Sequence, residues 1–338
     1  MKIVIAPDSY KECMSSQQVA AVLSAAVHER WPDAEVVEMP LADGGEGTLE
    51  ILTQALHATE FTARVHDPLG RPISARYAIA GDTAIVESAR VVGLSLVAPS
   101  ERDILRASTI GLGEVLLDAF EKGCRHFIMT LGGTATCDGG AGMLSVPGIE
   151  RLKGSRLELL CDVDAPFVGP TGAARVFAPQ KGATPADVEI LEERMRLQAS
   201  HLLAQTGMDV SLLPGAGAAG GLGGACMAFF KAERHRGIGR VLDLVHFSEA
   251  IRGASLILTG EGKSDAQTLM GKVPMGVLQR ADGCRVALLS GRIEDRAALE
   301  QAGFDPVIEV SPRTLPLREA LCPAIAACNL RQAVLHMA

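Results

Sequence analysis

Ile3-Val4-Ile5-Ala6-Pro7 is a short continuous apolar run, the pattern of a strand buried on both faces. After a polar loop, Ser15 and Gln18 stand three apart as a capping box. Val19, Val22, Leu23, Ala26 and Val27 then recur at i, i+3, i+4, i+7 and i+8, one face of a helix. A second strand over 35–39 runs into Leu41-Ala42-Asp43-Gly44-Gly45-Glu46-Gly47 and a helix with Leu49, Leu52 and Leu56 inward. Strand, helix, strand, helix is the order of a parallel sheet, whose post-strand loops open on one edge, where ligands bind. Asp8, Lys11 and Asp43 are therefore expected to meet.

The pattern then changes. Residues 61–65, 72–80 and 83–88 are β-rich runs separated by Asp67-Pro68-Leu69-Gly70 and Gly81-Asp82, turn chemistry for an antiparallel meander. A helix over 104–122, a strand over 125–131, a glycine loop, a strand over 157–161 and a polar helix from Thr184-Pro185 to about 205 follow. Alternating strands and helices return from 255: strands over 255–259, 285–289 and 307–310, helices over 273–280 and 294–301, and a last helix from 317. The expectation is an α/β chain in which a parallel three-layer domain, 1–60 with 254–338, is built from both termini around an inserted mixed α/β domain, 61–253.

Composition narrows the function. With 48% hydrophobic residues in 338 the chain folds, and its 36 glycines, roughly 11% where about 7% is usual, follow no collagen period. A net charge of -8, no dense basic run and few aromatics argue against nucleic acid as a partner. Small anions stay open as substrates, because a local basic pocket outweighs distant charge at cellular salt. The eight scattered cysteines have no zinc spacing and read as reduced thiols of a cytoplasmic protein. The N-terminal apolar run is too short for a signal peptide, and the uncharged stretch between Asp209 and Lys231 is too rich in glycine for a membrane span.

Much of the glycine sits in four loops. Asp43-Gly44-Gly45-Glu46-Gly47-Thr48 opens a helix and could form an anion nest; a plain tight turn is the alternative. Gly132-Gly133-Thr134-Ala135-Thr136-Cys137-Asp138-Gly139-Gly140 suits close approach of backbone to phosphate, with Asp138 facing ligand or metal. Gly215-Ala216-Gly217-Ala218-Ala219-Gly220 spells G-x-G-x-x-G without a good preceding strand, which disfavours a dinucleotide fold. Gly260-Glu261-Gly262-Lys263-Ser264-Asp265 ends like a Walker loop, but Ile257 stands where the first glycine is due. Asp162 and Asp164, two apart after an apolar strand, would share one face and suit Mg²⁺ together with phosphate; a solvated strand end is the alternative. Lys181 could supply a positive charge, or be a solvated surface lysine.

As an ordered set these loops resemble the bacterial glycerate kinase family of the glycerate 2-kinase type. The resemblance rests on Ala6-Pro7-Asp8-Ser9-Tyr10-Lys11, Ala42-Asp43-Gly44-Gly45-Glu46-Gly47-Thr48, Gly132-Gly133-Thr134-Ala135-Thr136, Cys161-Asp162-Val163-Asp164, Pro179-Gln180-Lys181-Gly182 and Thr259-Gly260-Glu261-Gly262-Lys263-Ser264-Asp265 with Gly271-Lys272. It implies a flavodoxin-like domain from both termini around an insert likened to restriction endonucleases. It also implies transfer of the γ-phosphoryl of ATP, with Mg²⁺, to a hydroxyl of D-glycerate, with 2-phosphoglycerate favoured over 3-phosphoglycerate as the product and a homodimer left open. On that reading Asp8, Lys11 and Asp265 are catalytic, and Ser9, Asp43, Gly44, Gly45, Gly132, Gly133, Asp138, Lys181 and Lys272 bind substrate or phosphate. Asp162 and Asp164 hold the metal, and the two groups of loops wall an interdomain cleft.

The chain departs from the family pattern in places. Cys137 replaces the usual Asn, Ile110 and Leu112 stand in a segment that is more polar in the family, Ser88 follows Glu87 in place of Met, and a few dozen residues are missing between Val146 and Leu157. A kinase for a related small hydroxy acid and a non-catalytic ligand-binding paralogue are the alternatives.

Overall fold

The computed structural model describes residues 1–337. In chain order the strands are β1 (Lys2–Ile5), β2 (Glu35–Glu38), β3 (Thr59–His66), β4 (Pro72–Ala80), β5 (Thr83–Glu87), β6 (His126–Thr130), β7 (Arg156–Leu160), β8 (Glu233–His235), β9 (Leu256–Thr259), β10 (Lys263–Ser264), β11 (Arg285–Ser290), β12 (Arg292–Ile293) and β13 (Val307–Glu309). The chain divides into a terminal unit, Met1–Asp43 with the chain from Ile238 onward, and an inserted unit, Gly44–Gly237.

In the terminal unit all neighbours in the main sheet are parallel and the order is β2-β1-β9-β11-β13. Counted among the strands of this sheet the order is 2-1-3-4-5, the flavodoxin-like order, with β10 and β12 paired separately. The capping box at Ser15 and Gln18 is formed and starts the helix Ser16–Arg30. Its buried Val19, Leu23, Ala26 and Val27 join Ile3, Ile5, Leu258, Leu289 and, from the last helix, Leu330 and Val334 in one core. The C-terminal helix expected from 317 is two, Leu317–Ala320 and Pro323–Leu335, because Pro323 cannot continue the first and starts the second.

The inserted unit carries a six-stranded mixed sheet in sequence order, β3 to β8. The meander is present: β3 and β4 pair antiparallel from Thr59↔Ile79 to His66↔Pro72, and β4 pairs antiparallel with β5. Its first turn is held by Asp67, whose Oδ1 accepts the N–H groups of Leu69 and Arg71 at 2.8 and 2.9 Å. From β5 to β8 the pairs are parallel. Phe127, Met129, Leu157 and Leu159 alternate inward onto a core shared with the helices Ile110–Glu121 and Leu222–Phe230.

The unit boundaries differ from those expected at 60/61 and 253/254. The helix Thr48–Ala55 goes with the insert because its first turn is bound there: Glu87 accepts the Leu49 N–H at 3.1 Å, and Arg76 reaches Glu50 at 3.3 Å. The helix Gly237–Leu244 runs into the terminal unit, where Ile238 packs on Gly276 and Arg280 pairs with Asp243. The helix expected over 104–122 begins only at Ile110. Upstream of it the N–H groups of Ser108 and Thr109 are engaged elsewhere, by Pro68 O and by Asp138. All eight cysteines are free. No helix among the described residues is long and apolar enough to cross a membrane.

Candidate active site

In the terminal unit the chemistry gathers at the C-terminal ends of β1, β9 and β11. The Asp8 N–H donates to Gly260 O at 2.8 Å, and Tyr10 Oη donates to Leu289 O at 2.8 Å, which seats the 8–14 loop against the strands beside it. Gly260 has to be glycine, because a Cβ there would stand 1.6 Å from Leu289 O. The Asp8 carboxyl is buried, 6% exposed, and accepts the Ser9 N–H at 2.7 Å. Burial first, then the negative charges of Asp43 and Glu261, push its pKa up to about 7, against the opposing pull of the Ser9 N–H and Lys11. Asp43 and Lys11 thus lie close enough to Asp8 to act on its charge.

Glu261, which no motif singles out, is tied into the same edge by three side-chain contacts. It accepts from Thr268 Oγ1 at 2.6 Å and Ser264 Oγ at 3.1 Å, and pairs with Lys272 at 3.5 Å. Burial raises its pKa against all three contacts. Lys272 is therefore held by an anchored carboxylate, with its ammonium half-exposed. Asp265 lies at the rim, with Oδ1 on the Gln267 N–H at 2.9 Å and Lys263 3.7 Å away.

In the inserted unit two glycine loops lie side by side, since a Cβ on Gly132 would be 3.3 Å from Gly45 Cα. Gly132 and Gly133 are exposed after β6, with Gly133 in the left-handed region at φ 73°. Lys181 runs beneath this loop with 5% exposure and donates to Thr136 O at 2.7 Å and Thr134 Oγ1 at 3.1 Å. Burial lowers its pKa to about 8, with Cys137 and Asp138 acting the other way. A lysine whose two direct acceptors are both neutral keeps capacity for a third, which an incoming anion can fill.

Three expectations change here. Asp138 does not project outward: Oδ2 accepts Thr109 N–H, Thr109 Oγ1 and Gly142 N–H at 2.8, 2.9 and 3.1 Å, and Oδ1 accepts Gly140 N–H at 3.1 Å. Asp162 and Asp164 do not present a common face, because β7 ends at Leu160. Asp162 Oδ1 accepts the Gly237 N–H at 2.9 Å, while Asp164 pairs with Arg234 at 2.6 Å. At the start of the helix Thr48–Ala55 the anion expected from solution is met by the protein's own Glu87, 1% exposed, on the Leu49 N–H. Glu87 carries no sequence signal, since nothing in its surroundings marks a glutamate as buried.

The G-x-G-x-x-G loop is a packing device. A Cβ on Gly217 would be 2.2 Å from Pro166 O, one on Gly220 2.1 Å from Thr136 O, and one on Gly224 2.5 Å from Phe167. Gly220 lets that loop lie against the 132–142 loop, while Gly217 and, in the helix that follows, Gly224 let the segment close on Pro166 and Phe167. A recess of 580 Å³ lies at the other edge of the same sheet, near Lys153, Arg156, Phe229 and Lys231, away from these loops. Among the described residues no group of three or more His, Cys, Asp or Glu could hold a metal ion.

Each unit gathers carboxylates, a lysine and glycine loops at the C-terminal edge of its parallel strands, the features of an α/β enzyme suited to phosphate chemistry. The glycerate kinase family model matches residues 3–153 and 146–338. A glycerate kinase of Halalkalibacterium halodurans is 37% identical over 353 residues, covering 94% of this chain and 93% of that protein. The glycerate 2-kinase of Escherichia coli K12 is 38% identical over 354 residues, covering 95% and 93%. A crystal structure of a Salmonella typhimurium LT2 protein, a candidate glycerate kinase 2, superposes with a TM-score of 0.87 at 37% identity, covering 99% of this chain and 96% of that one. The chain belongs to the glycerate kinase family and is a kinase. The family match comes in two segments that overlap at 146–153.

Proposed function

We propose that this protein transfers the γ-phosphoryl group of ATP to the 2-hydroxyl of D-glycerate, giving 2-phosphoglycerate and ADP. The observation that carries the reading is the buried Asp8, with a pKa of about 7, in a chain 38% identical to a glycerate 2-kinase over 95% of its length. A carboxylate of that pKa is matched to accepting a hydroxyl proton near neutrality. In the step, the deprotonating hydroxyl oxygen forms a bond to the γ-phosphorus while the bond to the β-bridging oxygen breaks in line. The proton goes to Asp8, and ADP takes the leaving electron pair.

The remaining residues position and neutralise. Lys272, oriented by Glu261, and Lys181, held by Thr134 and Thr136, pair with phosphate or carboxylate oxygens. The N–H groups of Gly132 and Gly133 line the exposed turn, Gly44 and Gly45 lie against it, and Ser9 and Lys11 flank Asp8. Asp43 keeps Asp8 basic, and Asp265 holds the loop that carries Lys272. Mg²⁺ takes one or two carboxylates and fills its remaining positions with phosphate and water. With Asp162 held on the Gly237 N–H and Asp164 on Arg234, the two do not form a joint site, and one of them alone would serve as such a carboxylate. When bound, the ion spreads the charge of the phosphates.

Leu112 is fully buried and Ile110 packs against the same core, so the substitutions there do not favour a different acceptor. The test is incubation with ATP and D-glycerate, with the product identified by NMR. 2-Phosphoglycerate is expected; 3-phosphoglycerate alone would overturn the regiochemistry, and no phosphoglycerate at all would overturn the function.

A further inference from the structure

The segment 107–109 was expected to be helical and instead leaves the helix to bind the second glycine loop. Thr109 gives both its N–H and its hydroxyl proton to Asp138 Oδ2, and its Oγ1 accepts the Met143 N–H at 2.9 Å. One threonine therefore ties the start of the helix Ile110–Glu121 to both ends of the turn 138–143. Asp138 in turn fixes Gly140 and Gly142, and a Cβ on Gly142 would stand 2.1 Å from Ser108 Oγ, so the contact is closed on every side. Two residues before Asp138, the same loop offers Thr136 O to Lys181.

We infer that Thr109 and Asp138 are positioning residues for phosphoryl transfer: they set the glycine loop in the shape that seats Lys181 and hold a carboxylate two residues from one of its acceptors. The inference rests on the phosphate-binding role proposed for Lys181. Four donors converge on Asp138, and these favour its ionised form against the burial that raises its pKa. The titratable groups acting on Lys181 are Asp138 and Cys137. The Cys137 thiol is pushed up to about 11 by burial, so it is neutral where Lys181 titrates. Glu192 acts on Cys137 and is itself engaged by the Gly169 N–H and by Arg196, while the Arg102 stem lies along Gly182. Among the described residues Asp138 is thus the carboxylate that acts on Lys181, and its removal lowers the pH at which that lysine gives up its proton.

The experiment compares wild type with Asp138→Asn, Thr109→Val and Thr109→Ser. In Asp138→Asn the loss of activity at high pH should begin roughly one unit lower than in wild type, since one unit corresponds to a moderate charge interaction. Thr109→Val should lose about tenfold in kcat/KM, the worth of one buried hydrogen bond to a charged group. Thr109→Ser should restore it, because the hydroxyl and not the methyl is the link. The Lys181 titration is also read directly by NMR of proteins labelled at the lysine ε-carbon, with Lys181→Arg to assign the signal. That readout stands whether or not D-glycerate is the substrate. An unmoved Lys181 titration in folded Asp138→Asn, or a Thr109→Ser variant as impaired as Thr109→Val, overturns the inference.

Discussion

Replacing Asp8 by Asn should stabilise the protein above neutral pH while removing its activity. The folded-state pKa is about 7 against an ordinary value of 3.8. Because the folded state holds the proton more tightly, unfolding releases it between those two values, and stability contributed by the neutral carboxyl is lost as pH rises through about 7. Three units at 1.36 kcal/mol each set a ceiling of about 4 kcal/mol on the cost of ionising Asp8 in place. Relaxation and screening reduce such ceilings, so about 2 kcal/mol is the expected gain at pH 8. At about 2–4 °C per kcal/mol this raises Tm by roughly 4–8 °C. At pH 5 only the first part of the interval has been crossed, and the gain should shrink to about a third. Asn keeps an oxygen for the Ser9 N–H, so the local turn survives. The assay is thermal unfolding of both proteins at pH 5 and pH 8, with turnover measured alongside. Equal gains at the two pH values, or none at pH 8, would show that Asp8 titrates as an ordinary aspartate and refute the reasoning.

Further outcomes follow from other contacts. Lys181→Met should cut kcat/KM by about 100-fold, the scale for removing one preorganised donor to a developing charge, without lowering Tm, because a buried ammonium contributes little to stability. Wild-type kcat/KM should rise through pH 7 as Asp8 loses its proton, and a pH profile flat from 6 to 8 would remove Asp8 as the base. Gly220→Ala should destabilise by about 1–3 kcal/mol in urea unfolding, since the added methyl meets Thr136 O at a left-handed backbone position. Thr184→Ala should cost about 1 kcal/mol through loss of the capping box with Asp187, and Thr184→Ser should not.

The elements that were legible in the sequence are those that announce themselves locally. The 3–7 run, the Ser15 and Gln18 box and the Asp67 turn each combine a periodicity with a residue that can form only a few backbone geometries. The parallel order of the terminal unit followed from alternation of strand and helix. The boundary at Gly44 was not legible, because the apolar face of the helix Thr48–Ala55 says that it packs and not onto which sheet. The chemistry of Asp8, Asp43 and Lys272 could be proposed from loop position. Glu87 and Glu261 could not, since a buried glutamate and a surface one are the same letter. The G-x-G-x-x-G loop misleads for a related reason: glycine serves backbone against backbone as readily as backbone against phosphate, and only the neighbour at 2.1 Å decides.

The pairing of Ile3 with Leu256 and of Val4 with Ile257 has a consequence for biosynthesis. When β1 and β2 leave the ribosome, the strand that should flank β1 on its other side is still more than two hundred codons away. At about 5–20 residues per second this is a wait of roughly 10–45 s, ample for the inserted unit, whose sheet is in sequence order, to fold first. During that interval the Ile3-Val4-Ile5 edge is a bare parallel strand on a nascent chain. Its protection until β9 arrives is a requirement of vectorial synthesis that the finished sheet no longer displays.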